Sequence, residues 1–186
     1  MIKKCLPVNV PLDEVDILFG DETRAGQKGI LARLWALKGT RPRVVRQQQH
    51  LSTYIFGAVC PEKDYGVALV LSECDTEMMQ LFLDEVSRKI PIGRHGVLIL
   101  DQAGWHTTER LKLPENLSLL HLPPYSPELN PVEQVWQYIK QHFLSNRVFK
   151  DLDEILQKCA EAWNSFVREP LRIKSLCSRD WAKLSV

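Results

Sequence analysis

The sequence predicts an α/β layer fold, a mixed sheet covered by helices. Up to Leu71 the chain holds short stretches with apolar residues at alternate positions, and from Asp75 onward the spacing changes to the three-and-four step of helices. The order of elements adds a third indication. Strands come first, and then helix, strand, helix, strand and helix follow one another, so helical crossovers join the later strands into the same sheet.

Val15, Ile17 and Phe19 share one parity, so Val15 to Gly20 reads as a strand that delivers Asp21 and Glu22 at its C-terminal end. Ile30 to Leu37, Val44 to Gln48, Ser52 to Cys60 and Gly66 to Leu71 read as further strands of an antiparallel meander. Turn signals at Lys38-Gly39 and Pro61 to Asp64 punctuate it. Asp75 or Thr76 caps a helix carrying Met79, Phe82, Leu83, Val86 and Ile90 on one stripe, closed by Pro91. Val97 to Leu100 is a continuous aliphatic run, as in a strand covered on both faces, and it ends directly in Asp101. A short helix is expected over Thr107 to Leu111, then a strand over Leu117 to Leu122, stopped by Pro123-Pro124. Asn130 caps and Pro131 opens a helix with Val132, Val135, Trp136, Ile139 and Phe143 on its apolar stripe, and a last helix covers Leu152 to Val167.

Length and composition exclude several classes. The 186 residues suit one core, and 45% hydrophobic with 25% charged residues excludes wholesale disorder and fibrous repeats. No apolar run approaches the roughly 18 residues of a membrane span. Two prolines and an acidic pair break any signal-peptide core at the start, so a cytoplasmic chain without a membrane partner is expected. Cys5, Cys60, Cys74, Cys159 and Cys177 are odd in number and lack a C-x-x-C pair, which reads as reduced thiols. The net charge of +1 names no partner, but its distribution is uneven. Thr23 to Cys60 contains no acidic residue, while Arg24, Lys28, Arg33, Lys38, Arg41, Arg43 and Arg46 make a basic block. It suits either a polyanion or a solvated hairpin face.

Three acidic positions stand out. Asp101 stands at the C-terminal end of a strand that reads as central, the end of an open sheet where ligands bind; its alternative roles are to cap the next helix or to meet an arginine. Asp21 and Glu22 end another strand on opposite faces, and parity alone does not choose between them. Glu133 lies in the first turn of its helix behind a loop stiffened by Pro123, Pro124, Pro127 and Pro131, although it can also complete a capping box with Asn130. Carboxylates converging from two strand ends and a helix start repel unless a cation neutralises them. Oxygen-only ligands favour Mg²⁺ or Mn²⁺, and two such ions support phosphoryl transfer, so with the basic block the substrate reads as nucleic acid.

The stretches LILDQAGWH (Leu98 to His106) and LLHLPPYSPELNPVEQVW (Leu119 to Trp136), with DETRAG and RLWALKGTRP before them, resemble the catalytic DDE domain of bacterial insertion-sequence transposases of the mariner superfamily. The resemblance runs from about Val15 to Val167. It implies a ribonuclease-H-like fold with a mixed five-stranded sheet flanked by helices, and DNA cleavage at transposon ends followed by strand transfer into target DNA. The implied catalytic and metal-binding triad is Asp21, Asp101 and Glu133, which resolves the choice between Asp21 and Glu22, with Mg²⁺ or Mn²⁺, two ions, as cofactor. Gln102 stands where the family has Asn. Arg24, Lys28, Arg41 and Arg43 are candidate phosphate contacts, and His106 is expected to meet substrate phosphate or a neighbouring acid. Tyr125 is expected to order its loop or touch DNA. Trp136 and Trp163 read as core, and Trp35 as packed beneath the sheet or stacked on a base.

Family members carry helix-turn-helix modules that read the element's ends, whereas about 14 residues precede the first strand here. The chain therefore reads as a single catalytic domain without that module, working as a homodimer or with a separately encoded recognition half. Alternatives are an inactive remnant that only binds nucleic acid, or a ribonuclease-H-like nuclease without strand transfer.

Overall fold

The computed structural model describes residues 5–29, 31–32, 35–45 and 47–183. Its strands are β1 (Val15–Gly26), β2 (Ser52–Cys60), β3 (Tyr65–Leu71), β4 (His95–Leu100) and β5 (Leu117–His121). The helices are α1 (Thr76–Lys89), α2 (Gly104–Thr107), α3 (Val132–Ile139), α4 (Leu152–Arg168) and α5 (Arg172–Cys177). The five strands lie in the order β3-β2-β1-β4-β5. β1, β2 and β3 are antiparallel neighbours, and β4 runs parallel to both β1 and β5. β1 and β4 therefore point their C-terminal ends the same way, which brings Asp21 and Asp101 to one side of the molecule.

Alternation along the strands divides the core into two layers. Val15, Ile17, Phe19, Val97 and Ile99 pack with Val135, Trp136, Ile155, Trp163 and Phe166 from α3 and α4. Leu18, Phe56, Leu98 and Leu100 face the other way, onto Met79, Phe82, Leu83 and Val86 of α1. The α1 stripe is the one its sequence spacing predicts, and Asp75 caps it by accepting from the Met78 amide at 2.9 Å. The same alternation sends Asp21 toward α3 and Glu22 toward the α1 side. Among the described residues no helix is long and apolar enough to cross a membrane. Cys60, Cys159 and Cys177 are buried and Cys74 half-buried, all as thiols.

Four sequence expectations are corrected. Ile30–Leu37 and Val44–Gln48 form no strands among their described residues; Ile30, Arg33, Leu34 and Arg46 lie outside those residues. β1 instead continues to Gly26, which pairs with Ser52, so the hairpin closes there and the intervening segment loops out. Side-chain amides hold that segment in place of a ladder: Gln27 Nε2 and Gln47 Nε2 both donate to the Phe149 carbonyl, at 3.0 and 2.7 Å. Trp35 is fully exposed and does not pack beneath the sheet. The short helix falls at Gly104–Thr107, earlier than Thr107–Leu111, because the Asp101 carboxylate accepts from the Ala103 amide at 3.0 Å and turns the chain as soon as the strand ends. Finally, α3 is α-helical only to Ile139 and continues through Lys140–Leu144 as a π-type turn, with Phe143 half-buried against the core.

Gly57 lies directly opposite Asp21 in the β1–β2 pairing. A Cβ there would stand 2.5 Å from the Trp136 ring and about 3 Å from that of Trp163. Gly57→Ala is expected to destabilise the fold by about 1–3 kcal/mol, read as a lowered urea midpoint at unchanged slope.

Candidate active site

Asp21, Asp101 and Glu133 line one cavity of about 510 Å³ with Gln102, Asn130 and the proline loop Leu122–Pro127. Each carboxylate arrives on a different element. Asp21 lies within β1 beyond its parallel pairing with β4, and its Oδ2 accepts from the Trp136 indole N–H at 3.1 Å. Trp136 is thus core, as its place on the α3 stripe predicts, and also an anchor for Asp21, a role its spacing did not reveal. Asp101 follows β4 directly. Its Oδ1 accepts from the Ala103 amide and lies 2.7 Å from His106 Nδ1, while Oδ2 has no hydrogen-bond partner among the described residues.

Glu133 sits in the first turn of α3, exposed, and its carboxylate has no hydrogen-bond partner among the described residues. The capping box is not made. The buried Asn130 donates through Nδ2 to the Gly20 carbonyl at 2.9 Å and accepts from the Val132 amide at 3.3 Å. That residue ties the start of α3 to the middle of β1, next to Asp21, which fixes Glu133 relative to Asp21. Gln102, in the family's Asn position, donates to the Leu122 carbonyl at 2.8 Å and secures the loop.

Burial, with the charges of Glu22 and Glu133, pushes the Asp21 carboxyl up to about 7, against hydrogen bonds from the Glu22 amide and the Trp136 indole. The three carboxylates face one space without closing on a point: among the described residues no three His, Cys, Asp or Glu side chains stand close enough to hold a metal ion. Their donor chemistry nevertheless suits a hard divalent cation. The donors are carboxylate oxygens. Burial and the charges of Glu22, Asp75, Asp21 and Asp101 push the nearby Cys74 thiol up to about 11, so it is no thiolate at neutral pH.

His106 is 2% exposed and lies between two acids, with Nδ1 at Asp101 and Nε2 2.8 Å from Glu22 Oε1. Of the two contacts expected for it, the neighbouring acid is the one made. Both ring nitrogens are occupied by these two carboxylates. Burial pulls its pKa down, and the bonds and charges of Glu22 and Asp101 overcome this to raise it.

Tyr125 has its ring fully exposed at the cavity lip and a backbone φ of 57°, so it does not order the loop by packing. Its left-handed backbone is a local strain in a non-glycine residue. Arg24, Lys28, Arg41 and Arg43 are exposed. Arg24 and Lys28 meet Lys140 around a small cavity beside Gly26. Lys140 was not singled out from sequence. Burial lowers its pKa while the charges of Glu133 and Asp21 raise it, which places a cation beside the acids. Its signal is the seven-residue step from Glu133, two turns along one helical face.

The chain matches the model of the DDE superfamily endonuclease family over residues 16–156 and belongs to that family. It is 57% identical over 132 residues to the uncharacterized protein y4pE/y4sA of Sinorhizobium fredii (strain NBRC 101917 / NGR234), an alignment covering 71% of this chain and 98% of that protein. Among solved structures it is similar to the Mos1 strand transfer complex, with 16% identity and a TM-score of 0.60 over 86% of this chain and 49% of that one. It is also similar to the Mos1 mariner paired end complex with Mn, at 16% identity and a TM-score of 0.61 over 88% and 51% of the two chains. The corresponding complex with Mg gives 17% identity and a TM-score of 0.56, over 86% and 50%. The ribonuclease-H-like arrangement, a mixed five-stranded sheet with flanking helices, is therefore the fold of this chain. The chain spans about half the length of the Mos1 chains it matches.

Because the folded-state pKa of Asp21 lies above its ordinary value of 3.8, the stability tied to this group is fully present below about pH 4 and is lost as pH rises through about 7. Without divalent ions, Asp21→Asn is expected to be more stable than wild type at pH 8. The gap should grow by at most about tenfold in the folding equilibrium constant per pH unit between roughly pH 4 and 7, and flatten above that. Urea titrations at pH 4.5, 6 and 8 measure it. A gap independent of pH would contradict the assignment.

Proposed function

We propose that this chain is the catalytic part of a transposase that cuts DNA at the ends of a mobile element and joins the freed ends to target DNA. The observation that carries the reading is the meeting of Asp21, Asp101 and Glu133 in one cavity at the C-terminal side of β1 and β4, in a member of the DDE endonuclease family. Mos1 complexes of the same fold contain Mn or Mg, which supports use of a divalent ion here. Two Mg²⁺ or Mn²⁺ ions bound by the three carboxylates would lower the pKa of an attacking water or hydroxyl and neutralise charge on the leaving oxygen.

The residues of the chain do the rest. Asp21, anchored by Trp136, and Asp101, with one oxygen held by the chain, present ligand oxygens at fixed positions. Glu133 reaches the same cavity from the first turn of α3. Arg24, Lys28, Arg41 and Arg43 contact phosphates, and their exposed positions suit backbone binding without sequence readout. Lys140 adds a cation near the acids, in the small cavity it shares with Arg24 and Lys28, and Tyr125 offers an exposed ring to an unpaired base. In the first step water bonds to phosphorus as the bond to the 3′-oxygen breaks; in the second, the freed 3′-hydroxyl loses its proton and bonds to a target phosphorus as the bond from that phosphorus to its own 3′-oxygen breaks, and that oxygen leaves as a hydroxyl. DNA is accordingly the substrate, and the protein partner is a second copy of the chain or a separately encoded DNA-recognition half.

With Mn²⁺ and DNA carrying an element end, wild type is expected to nick the DNA and Asp101→Asn to show only background cleavage at unchanged circular dichroism. Equal cleavage by the variant would exclude this site. Pre-cleaved ends test joining separately. Mn²⁺ at about 100 times its dissociation constant should add about 2.7 kcal/mol of stability to wild type, seen as a raised melting temperature, and much less to Asp101→Asn.

A further inference from the structure

Glu22 and His106, the buried members of a Glu22–His106–Asp101 chain, are not used by the chemistry just described. Its side chains are 7%, 1% and 59% exposed, so two of the three members are sealed inside the protein and only the aspartate reaches the cavity. Backbone and ring of His106 are held from several sides. The His106 amide donates to the Ala103 carbonyl at 2.9 Å, the His106 carbonyl lies 3.1 Å from His121 Nε2, and the Trp105 ring stands edge-on at 5.8 Å. Glu22 meets Nε2 and Asp101 meets Nδ1. One oxygen of Asp101 is thereby committed to the chain by two contacts, and the other is left without a hydrogen-bond partner among the described residues.

We propose that Glu22 and His106 are positioning residues: Glu22 fixes the ring so that His106 clamps Oδ1 of Asp101 and leaves Oδ2 as the oxygen presented to a divalent cation. The inference rests on the cation-binding reading of the cavity. Glu22 acts at a distance, through the ring, and is not itself a ligand. Residues that orient a metal ligand in this way typically contribute about 10–100-fold in metal affinity.

The test is Mn²⁺ binding to the full chain, with no DNA present, read from the loss of the free-ion electron paramagnetic resonance signal and paired with melting temperatures to verify folding. Glu22→Gln is expected to weaken binding about 10-fold without loss of fold. His106→Asn retains a donor near the place of Nδ1 and should bind more tightly than His106→Ala. Because asparagine is too short to reach Glu22, adding Glu22→Gln to His106→Asn should cost nothing further. If Glu22→Gln costs the same in both backgrounds, Glu22 is a ligand and the positioning role is overturned. Unchanged binding in Glu22→Gln and His106→Asn, with binding lost in Asp101→Asn, overturns it while leaving the cation site standing. Unchanged binding in Asp101→Asn ends the cation reading and this inference together.

Discussion

Repulsion among carboxylates at one end of the sheet is the constraint around which the rest is arranged. Asp21, Glu22, Asp101 and Glu133 are brought to one end of the sheet by β1, β4 and α3, and burial makes the charge of Asp21 costly. Each of the first three is held by a specific donor or ring: Trp136 for Asp21, His106 for Glu22, and both His106 and the Ala103 amide for Asp101. Such a cluster is poorly stable on its own and is tolerated because the surrounding layers are tightly packed. The two apolar layers on either face of the sheet supply that stability, and Asn130 stitches the third element to the first.

Much of the architecture was legible in the sequence because it follows from spacing. The α1 stripe, the aliphatic run of β4 and the apolar positions of α3 and α4 depend on local periodicity, which tertiary context did not override. The expectations that failed depended on pairing. Alternation at Ile30–Leu37 and Val44–Gln48 looks strand-like, but a strand needs a neighbour, and the β1–β2 ladder had already closed at Gly26 and Ser52. Where α2 begins depends instead on a local side-chain contact, the Asp101 carboxylate accepting from the amide two residues on, which apolar spacing does not register.

The site was readable to a different depth. Parity separates Asp21 from Glu22, and the structure keeps them on opposite faces, one toward Trp136 and the other toward His106. Parity does not say that the second face also serves the cavity. The link runs through His106, which lies 84 residues from Glu22 in the chain, and no local pattern connects positions so far apart. Trp136 shows the same limit, since an apolar stripe reports that an indole is buried and not which way its N–H points. Lys140 is reached only by following one helical face two turns beyond Glu133.

The pairing of Gly26 with Ser52 has a consequence for how this architecture can change. The outgoing and returning strands of the hairpin leave the sheet side by side, so the stretch between them is a closed detour whose ends are already joined. Lengthening such a detour costs little, since closure entropy grows only with the logarithm of its length. Insertions and deletions can therefore accumulate there while the acidic pocket keeps its shape, and relatives of this chain should differ most in that excursion and least at its two roots.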